Sequence, residues 1–307
     1  MRWMFTTALS VFCLVASSCS SSSVNADQAC SDFSAAYCKR INDCAPFYVQ
    51  LAYSDAPGCT TRLKLACAPA LNAPGTGTTP GIAEACSGAL SSASCDDLLG
   101  RNLPDACKTK GGSLSNGVAC GDNAQCQGTI CNRAKNQTCG VCSARVAAGG
   151  TCVRDDDCDY GEMCSKTANV CVKFGNVSDN CDADHPCKPT LVCKSGSCAT
   201  PLGAGAACAG NLLANDCDFG RGLVCNQKVC TQIQLAGGGQ PCGLINGGVT
   251  LCSSNGFCRI PPATTSGTCV AAAADGAACD TATGPNCLEP AQCVNGACKL
   301  SDPASCK

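Results

Sequence analysis

A group of four cysteines that recurs along the second half of the chain constrains its fold more than any other feature. Aligned on cysteine, residues from Cys120 onward fall into six units that begin at Cys120, Cys152, Cys181, Cys208, Cys242 and Cys279, with a period of 27 to 37 residues. A period of this length means stacked supersecondary units, each too small to bury a face alone. The pattern is plainest in CVRDDDCDYGEMCSKTANVC from Cys152 and CDADHPCKPTLVCKSGSC from Cys181. Two further positions recur in register. A glycine stands three residues before the first cysteine (Gly117, Gly149, Gly205, Gly239 and Gly276), with Ser178 as the exception. Such glycines mark a turn into each unit, where a positive φ suits glycine alone. An apolar residue precedes the third cysteine (Ile130, Met163, Val192, Val224 and Phe257), with Gln292 as the exception, and is expected to form each unit's small core. Ser195-Gly196 and Asn295-Gly296 sit centrally between third and fourth cysteines. Asn-Gly so placed is a strong hairpin signal, so each module reads as a loop followed by a β-hairpin.

Cross-links must stand in for a conventional core. The chain has 36 cysteines in 307 residues, while aromatics are only 4% and there is one Trp. Units below about 40 residues usually need disulfides or metal to fold. Zinc sites favour close cysteine pairs, often completed by histidine, and His185 is the single histidine here. Disulfides are therefore expected, and with them an oxidising compartment. Four cysteines allow three pairings. First-to-third with second-to-fourth is favoured, because joining third to fourth closes only the hairpin and leaves the leading loop untethered. That pairs Cys152 with Cys164 and Cys158 with Cys171. The later modules follow as Cys181 with Cys193, Cys187 with Cys198, Cys208 with Cys225, and Cys217 with Cys230. The last two add Cys242 with Cys258, Cys252 with Cys269, Cys279 with Cys293, and Cys287 with Cys298. The first unit has five cysteines, and Cys139, Cys142 and Cys306 do not all fit the scheme.

The N-terminal part is of another kind. Arg2 followed by the apolar run Phe5 to Ala16 reads as an export leader, too short to span a bilayer. Val15-Ala16-Ser17-Ser18-Cys19 resembles a bacterial lipobox, which would make residues 1–19 a signal peptide, Cys19 the lipidated residue, and the serine-rich stretch 20–26 a tether. The rival is ordinary cleavage after Ala26 in Val24-Asn25-Ala26. Setting aside Cys13 and Cys19 leaves 34 of the 36 cysteines, an even number that can form 17 bridges. Residues 27–110 carry eight widely spaced cysteines (Cys30, Cys38, Cys44, Cys59, Cys67, Cys86, Cys95 and Cys107) with helical periodicity between them. Cys30, Phe33, Tyr37, Ile41 and Cys44 line one helical face. Pro46 opens a second helix, Thr60 to Ala68 reads as a third, and Thr79-Pro80 caps a fourth that runs to about Ala89. The fold class is thus a small disulfide-rich protein. An all-α bundle with up to four bridges precedes an elongated array of modules over residues 117–307.

These cysteine spacings resemble Dickkopf-type N-terminal cysteine-rich repeats and the similar EB modules. The layout of lipobox, helical eight-cysteine domain and repeats resembles bacterial cysteine-rich surface lipoproteins. The resemblance implies a lipid-anchored or secreted protein at a bacterial outer membrane and supplies no functional residues.

Few residues carry chemistry. The net charge is −2 and no Lys/Arg cluster is present, so the electrostatic footprint of nucleic-acid binding is missing. Cys139-Gly140-Val141-Cys142 is a CxxC pair without the helix N-terminus that redox use requires, and is read as structural. Asp155, Asp156, Asp157, Asp159 and Glu162 concentrate carboxylates at spacings that do not match an EF-hand, and are read as a solvated acidic loop. Asp182, Asp184 and His185 are read the same way, and Asn136 and Asn176 open glycosylation sequons. The expected function is that of a non-enzymatic surface or secreted binding rod. It needs no metal or cofactor, its partner is a protein or glycan at the cell surface, and it meets the membrane only through a lipid anchor. Partner contact is expected at the variable loops Leu212 to Asn215 and Leu244 to Val249. Protease inhibition or secreted signalling antagonism is the alternative.

Overall fold

The computed structural model describes residues 24–134, 136–209 and 216–307. The leader, Cys19 and the serines up to Ser23 lie outside these residues, as does the loop Leu212 to Asn215. A disulfide-linked helical region comes first, and small disulfide-stapled β-hairpin modules follow it.

The helical region holds α1 (Ala26–Cys44), α2 (Pro46–Tyr53), α3 (Ala56–Leu71), α4 (Pro80–Leu90) and α5 (Cys95–Leu99). Local chemistry starts each one. The side chains of Asn25, Asp55, Thr79 and Ser94 accept the N–H of Gln28, Gly58, Ile82 and Asp97, which satisfies donors that helices leave orphaned at their first turn. Pro46 opens α2, where its missing N–H costs nothing. The third helix begins earlier than its apolar pattern suggests, because Asp55 caps it and Pro57 sits in its first turn. Four bridges join the bundle: Cys30–Cys67, Cys38–Cys59, Cys44–Cys95 and Cys86–Cys107. Around them pack Val49, Tyr53 and Leu63 on one side and Phe33, Leu90 and Leu98 on the other, with Tyr37 and Ile41 shared.

Each module is built to one plan. The first cysteine bridges the third and the second bridges the fourth in the units starting at Cys152, Cys181, Cys208, Cys242 and Cys279. In the first unit Cys120 joins Cys131 and Cys126 joins Cys142, so Cys142 takes the fourth place and Cys139 is the extra residue. Third and fourth cysteines lie on antiparallel strands, as in Val192–Lys194 with Ser197–Ala199 and Gln292–Val294 with Ala297–Lys299. The turns between these strands have positive φ at both Ser195-Gly196 and Asn295-Gly296, the geometry that matches strand twist. The residue three places before the first cysteine also has positive φ, and its N–H donates to the carbonyl of the fourth cysteine at 2.8–2.9 Å in all six modules. Ser178 does this with φ +73°.

The small cores differ from expectation. They are built on the cysteine sulfurs and a residue six places ahead of the first cysteine (Leu114, Val146, Leu202, Ala236 and Ala273), with Leu223 added in the fourth module and Ala291 in the sixth. That position pairs in parallel with the second cysteine in every module, Gly175 included. The residue before the third cysteine is not part of this core. Side chains alternate along a strand, so when the cysteine faces its own module's core its neighbour faces away from it, even where that neighbour is itself buried, as Ile130 is. Val224 accordingly packs on the helical region and Gln292 is exposed.

The array is not an elongated rod. It curls around the helices, and every module touches them. The main-chain N–H of Gly77 donates to Ala124 of the first module, Arg101 pairs with Asp156 of the second, and Asp96 accepts from Thr190 of the third. Phe47, 2% exposed, packs on Val224 and Ile233 and meets the ring of Phe219 edge-on at 5.3 Å, in and just after the fourth. Carbonyls of Gln50 and Leu51 accept from Ser254 and Asn255 of the fifth. Arg62 grips the last module, reaching both oxygens of Asp275 at 2.7–2.8 Å and the carbonyls of Leu288 and Glu289 at 2.6–3.0 Å. The ring then closes on itself: Cys139 is bridged to Cys306, 167 residues away, and Ser301 donates to the Gly121 carbonyl at 3.1 Å. The physical reason is scarcity. Large apolar side chains are few, and Phe47 and Leu51 on α2 are buried against the modules, not within the bundle.

Candidate functional site

Ring closure creates a cleft of about 490 Å³ where the first and last modules meet, flanked by the second and fifth. The volume lies within the roughly 300–1,000 Å³ usual for small-ligand sites. Its lining is polar, with Asn123, Arg133, Asn136, Arg154, Asn255, Asn286 and Gln292 contributing amides and guanidinium groups. Asp156 and Glu289 are its carboxylates, and among the described residues no aromatic or large aliphatic side chain lines it.

Local bonds hold these groups in place. Asn123 accepts the N–H of Cys131 at 2.8 Å, and Asn286 donates to the Asn255 carbonyl at 3.1 Å. Asn255 donates in turn to the Cys287 carbonyl at 2.8 Å and to Glu289 Oε1 at 3.4 Å. Arg154 donates to the Arg133 carbonyl and to Asn132, and lies 3.4 Å from Asp157. Among the described residues Arg133 reaches only neutral acceptors, the Gly121 carbonyl at 3.4 Å and Ser301 Oγ at 3.5 Å. Burial pushes the Glu289 carboxyl up from its ordinary range, although the charge of Arg62 opposes this.

A second cleft, of about 470 Å³, lies between the helices and the third and fourth modules. It is lined in part by Tyr48, Leu191, Phe219 and Arg221, and Tyr48 and Phe219 stand 5.7 Å apart at ring centres.

The residues singled out in the sequence are brought into structural roles. Leu244 to Val249 is not a free loop. Pro241–Ile245 and Gly248–Cys252 form a hairpin inside a five-stranded sheet, its tip accepts a hydrogen bond from Asn226 at the Gly247 carbonyl, and Val249 packs toward Phe47. Cys139 and Cys142 are bridged to different partners, Cys306 and Cys126. The aspartates of 155–157 take three different partners, although Asp155 and Asp156 remain exposed as expected and only Asp157 is buried. Asp155 accepts the Cys164 N–H at 3.0 Å, Asp156 pairs with Arg101 at 2.7 Å, and Asp157 accepts from Val153 and Arg154 at 2.9 and 3.0 Å. Burial opposes ionisation of Asp157, but these donors and the Arg154 guanidinium outweigh it and hold its pKa below the usual range. Asp184 is likewise no bystander. It accepts from the Ser165 and Thr167 hydroxyls and from the N–H groups of Thr167 and Ala168, tying the third module to the second. Hydrogen bonds from Ser165 and Thr167 lead in lowering its pKa to about 2. His185 Nδ1 lies 2.8 Å from Asp182 on the surface. Asn136 and Asn176 are exposed, and Asn136 lines the polar cleft. The cleft itself escaped sequence reasoning because its residues come from four modules.

Among the described residues, no helix is long and apolar enough to cross a membrane. No protein-family model matches the chain, and no solved structure matches it. Among curated proteins, cell-cell adhesion glycoprotein 64 of Heterostelium pallidum is 29% identical over 164 residues, covering 51% of this chain and 48% of that protein. The chain therefore spans about half the length of this relative. Taken with the bridges, the similarity makes this a cysteine-rich disulfide protein distantly related to that adhesion glycoprotein.

Proposed function

We propose that the protein is an extracellular, non-enzymatic adhesion and binding protein that acts at a cell surface. The observation that carries this reading is the closed ring of cross-linked modules, which fixes loops and clefts as rigid outward-facing surfaces. Rigidity of this kind favours binding, because little freedom remains to be lost when a partner docks. Similarity to a protein named for cell-cell adhesion points the same way. The partner is a protein or glycan on the apposed surface. Attachment through a lipid on Cys19 fits the start of the fold better than cleavage after Ala26. Cleavage there would remove Asn25, whose side chain caps α1 through the Gln28 N–H at 2.8 Å. Loss of an N-cap costs about 1 kcal/mol.

The test is direct. Purified oxidised protein, fluorescently labelled, is titrated onto washed cells of the source organism. Saturable binding that unlabelled protein competes away, and that prior reduction of the disulfides abolishes, is the expected result. Binding that does not saturate, or that survives full reduction, would overturn the reading.

A further inference from the structure

We infer that the polar cleft between the first and last modules binds a short acidic saccharide, with Arg133 receiving a ring carboxylate. The inference rests on the reading of the chain as an extracellular binding protein, and it names the class of ligand for one of its surfaces.

Three observations lead to it. First, the lining carries amides and guanidinium groups without aromatic or large aliphatic side chains. An amide side chain offers both a donor and an acceptor, which matches paired hydroxyls. A lipid or an apolar peptide side chain would find nothing to bury against. Second, the charges do not cancel. Asp156 is taken up by Arg101 at 2.7 Å, and Arg154 shares Asp157. Arg133 has no carboxylate partner among the described residues, only the two neutral contacts at 3.4 and 3.5 Å. Its planar fork is suited to two-point capture of a carboxylate. Glu289 also lines the cleft, but it is half-buried and its Oε1 is engaged by the Asn255 amide at 3.4 Å. Third, Gln292 is exposed at the cleft wall and stands where the other modules carry an apolar residue. That one departure from the repeat puts a further amide where the saccharide would lie.

The test uses the full oxidised chain made where Asn136 stays unglycosylated, since a glycan there would crowd the cleft. Trigalacturonic acid, its methyl ester and a hexaglutamate peptide are titrated calorimetrically. The acid should bind saturably, and the ester at least about tenfold more weakly, as loss of one charge-assisted contact implies. Arg133→Gln should weaken the acid about tenfold and leave the ester unchanged. Gln292→Ala, at an exposed position with no part in the module core, should weaken both by a smaller factor. Absence of saturable binding to the acid would overturn the proposal, as would wild-type affinity in both variants or tighter binding of the peptide. Cell binding by Arg133→Gln separates the two readings. Retained cell binding when the wild type shows no saccharide binding removes this proposal and leaves adhesion standing. Saccharide binding by a wild type that ignores cells does the reverse.

Discussion

Replacing Gly149 by alanine and Ser178 by glycine should move stability in opposite directions at equivalent places in adjacent modules. Both residues lie three before the first cysteine, with φ +85° and +73°, and both donate their N–H to the fourth cysteine's carbonyl at 2.8 Å. At Gly149 an added Cβ would meet no atom within 4 Å, so the substitution tests backbone conformation alone. Holding a residue with a Cβ in the left-handed region costs about 1–2 kcal/mol. Alanine recovers about 0.4–1 kcal/mol by restricting the unfolded chain. The net is a loss of about 1 kcal/mol for Gly149→Ala and a gain of similar size for Ser178→Gly. Global unfolding of a chain with so many cross-links need not be two-state, so the better assay is local. Hydrogen exchange of the amides of Cys171 and Cys198, which donate to the same turns, reports opening of each module separately. At about 1 kcal/mol, exchange should be roughly fivefold faster in the second module for Gly149→Ala and fivefold slower in the third for Ser178→Gly. Unchanged rates, or shifts of the same sign, would show that glycine serves some purpose other than positive φ. Because Ser178 completes a sequon, protein from a host without N-glycosylation is needed for a clean comparison.

Opening the ring with Cys139→Ser and Cys306→Ser together should cost up to about 5 kcal/mol, the chain-entropy value for a loop of 167 residues, and less to the extent that the bridges within it already shorten that loop. Solution scattering should show a larger radius, and proteolysis should reach the segment after Lys299; an unchanged radius would mean that the module contacts alone close the ring. Arg62→Ala should loosen the last module by about 2–3 kcal/mol through lost charge-assisted bonds at a side chain only 16% exposed. Arg62→Lys should recover little, because a lysine cannot make the same fork, and hydrogen exchange at Cys298 reads both. Acid should act on two groups with opposite sign. Hydrogen bonds from Arg62 hold Asp275 below the usual carboxylate range, so its contribution is present above the unfolded pKa and is lost as pH falls through the folded one. Burial raises Glu289, so its contribution is present below the unfolded pKa and fades as pH rises through the folded value. Asp184, held at about 2, should keep the second and third modules joined until the pH falls toward that value, which exchange or NMR titration would show.

How much of this was legible in the sequence depends on whether the signal is local. Thr79-Pro80, Pro46 and Asn295-Gly296 act within one turn of chain, and the elements they start or fold are where the residues imply. The five-residue helix Cys95–Leu99 has too few turns to show a period, though Ser94 caps it. The position six before each first cysteine went unseen because its side chains (Leu114, Val146, Gly175, Leu202, Ala236 and Ala273) share little beyond a backbone pairing with the second cysteine. Asp184 read as a solvated acid because its donors lie 16 to 19 residues earlier.

The rod expectation fails for a reason that also locates the binding chemistry. In a linear array each unit meets only its neighbours, and any site must lie within a module or at one repeated joint. Here α2 and α3 present Phe47 and Arg62 to modules far along the chain, and Cys139–Cys306 joins the two ends. The seam brings Arg133 and Asn123 against Asn286 and Gln292, residues separated by about half the chain. None of the six modules holds that set of groups alone, so an isolated module should fail to bind whatever the cleft accepts. An excised first module, stapled by Cys120–Cys131 and Cys126–Cys142 with Cys139 replaced by serine, tests this. It should show no saturable binding to trigalacturonic acid, and affinity equal to that of the full chain would place the chemistry in the module, not in the seam.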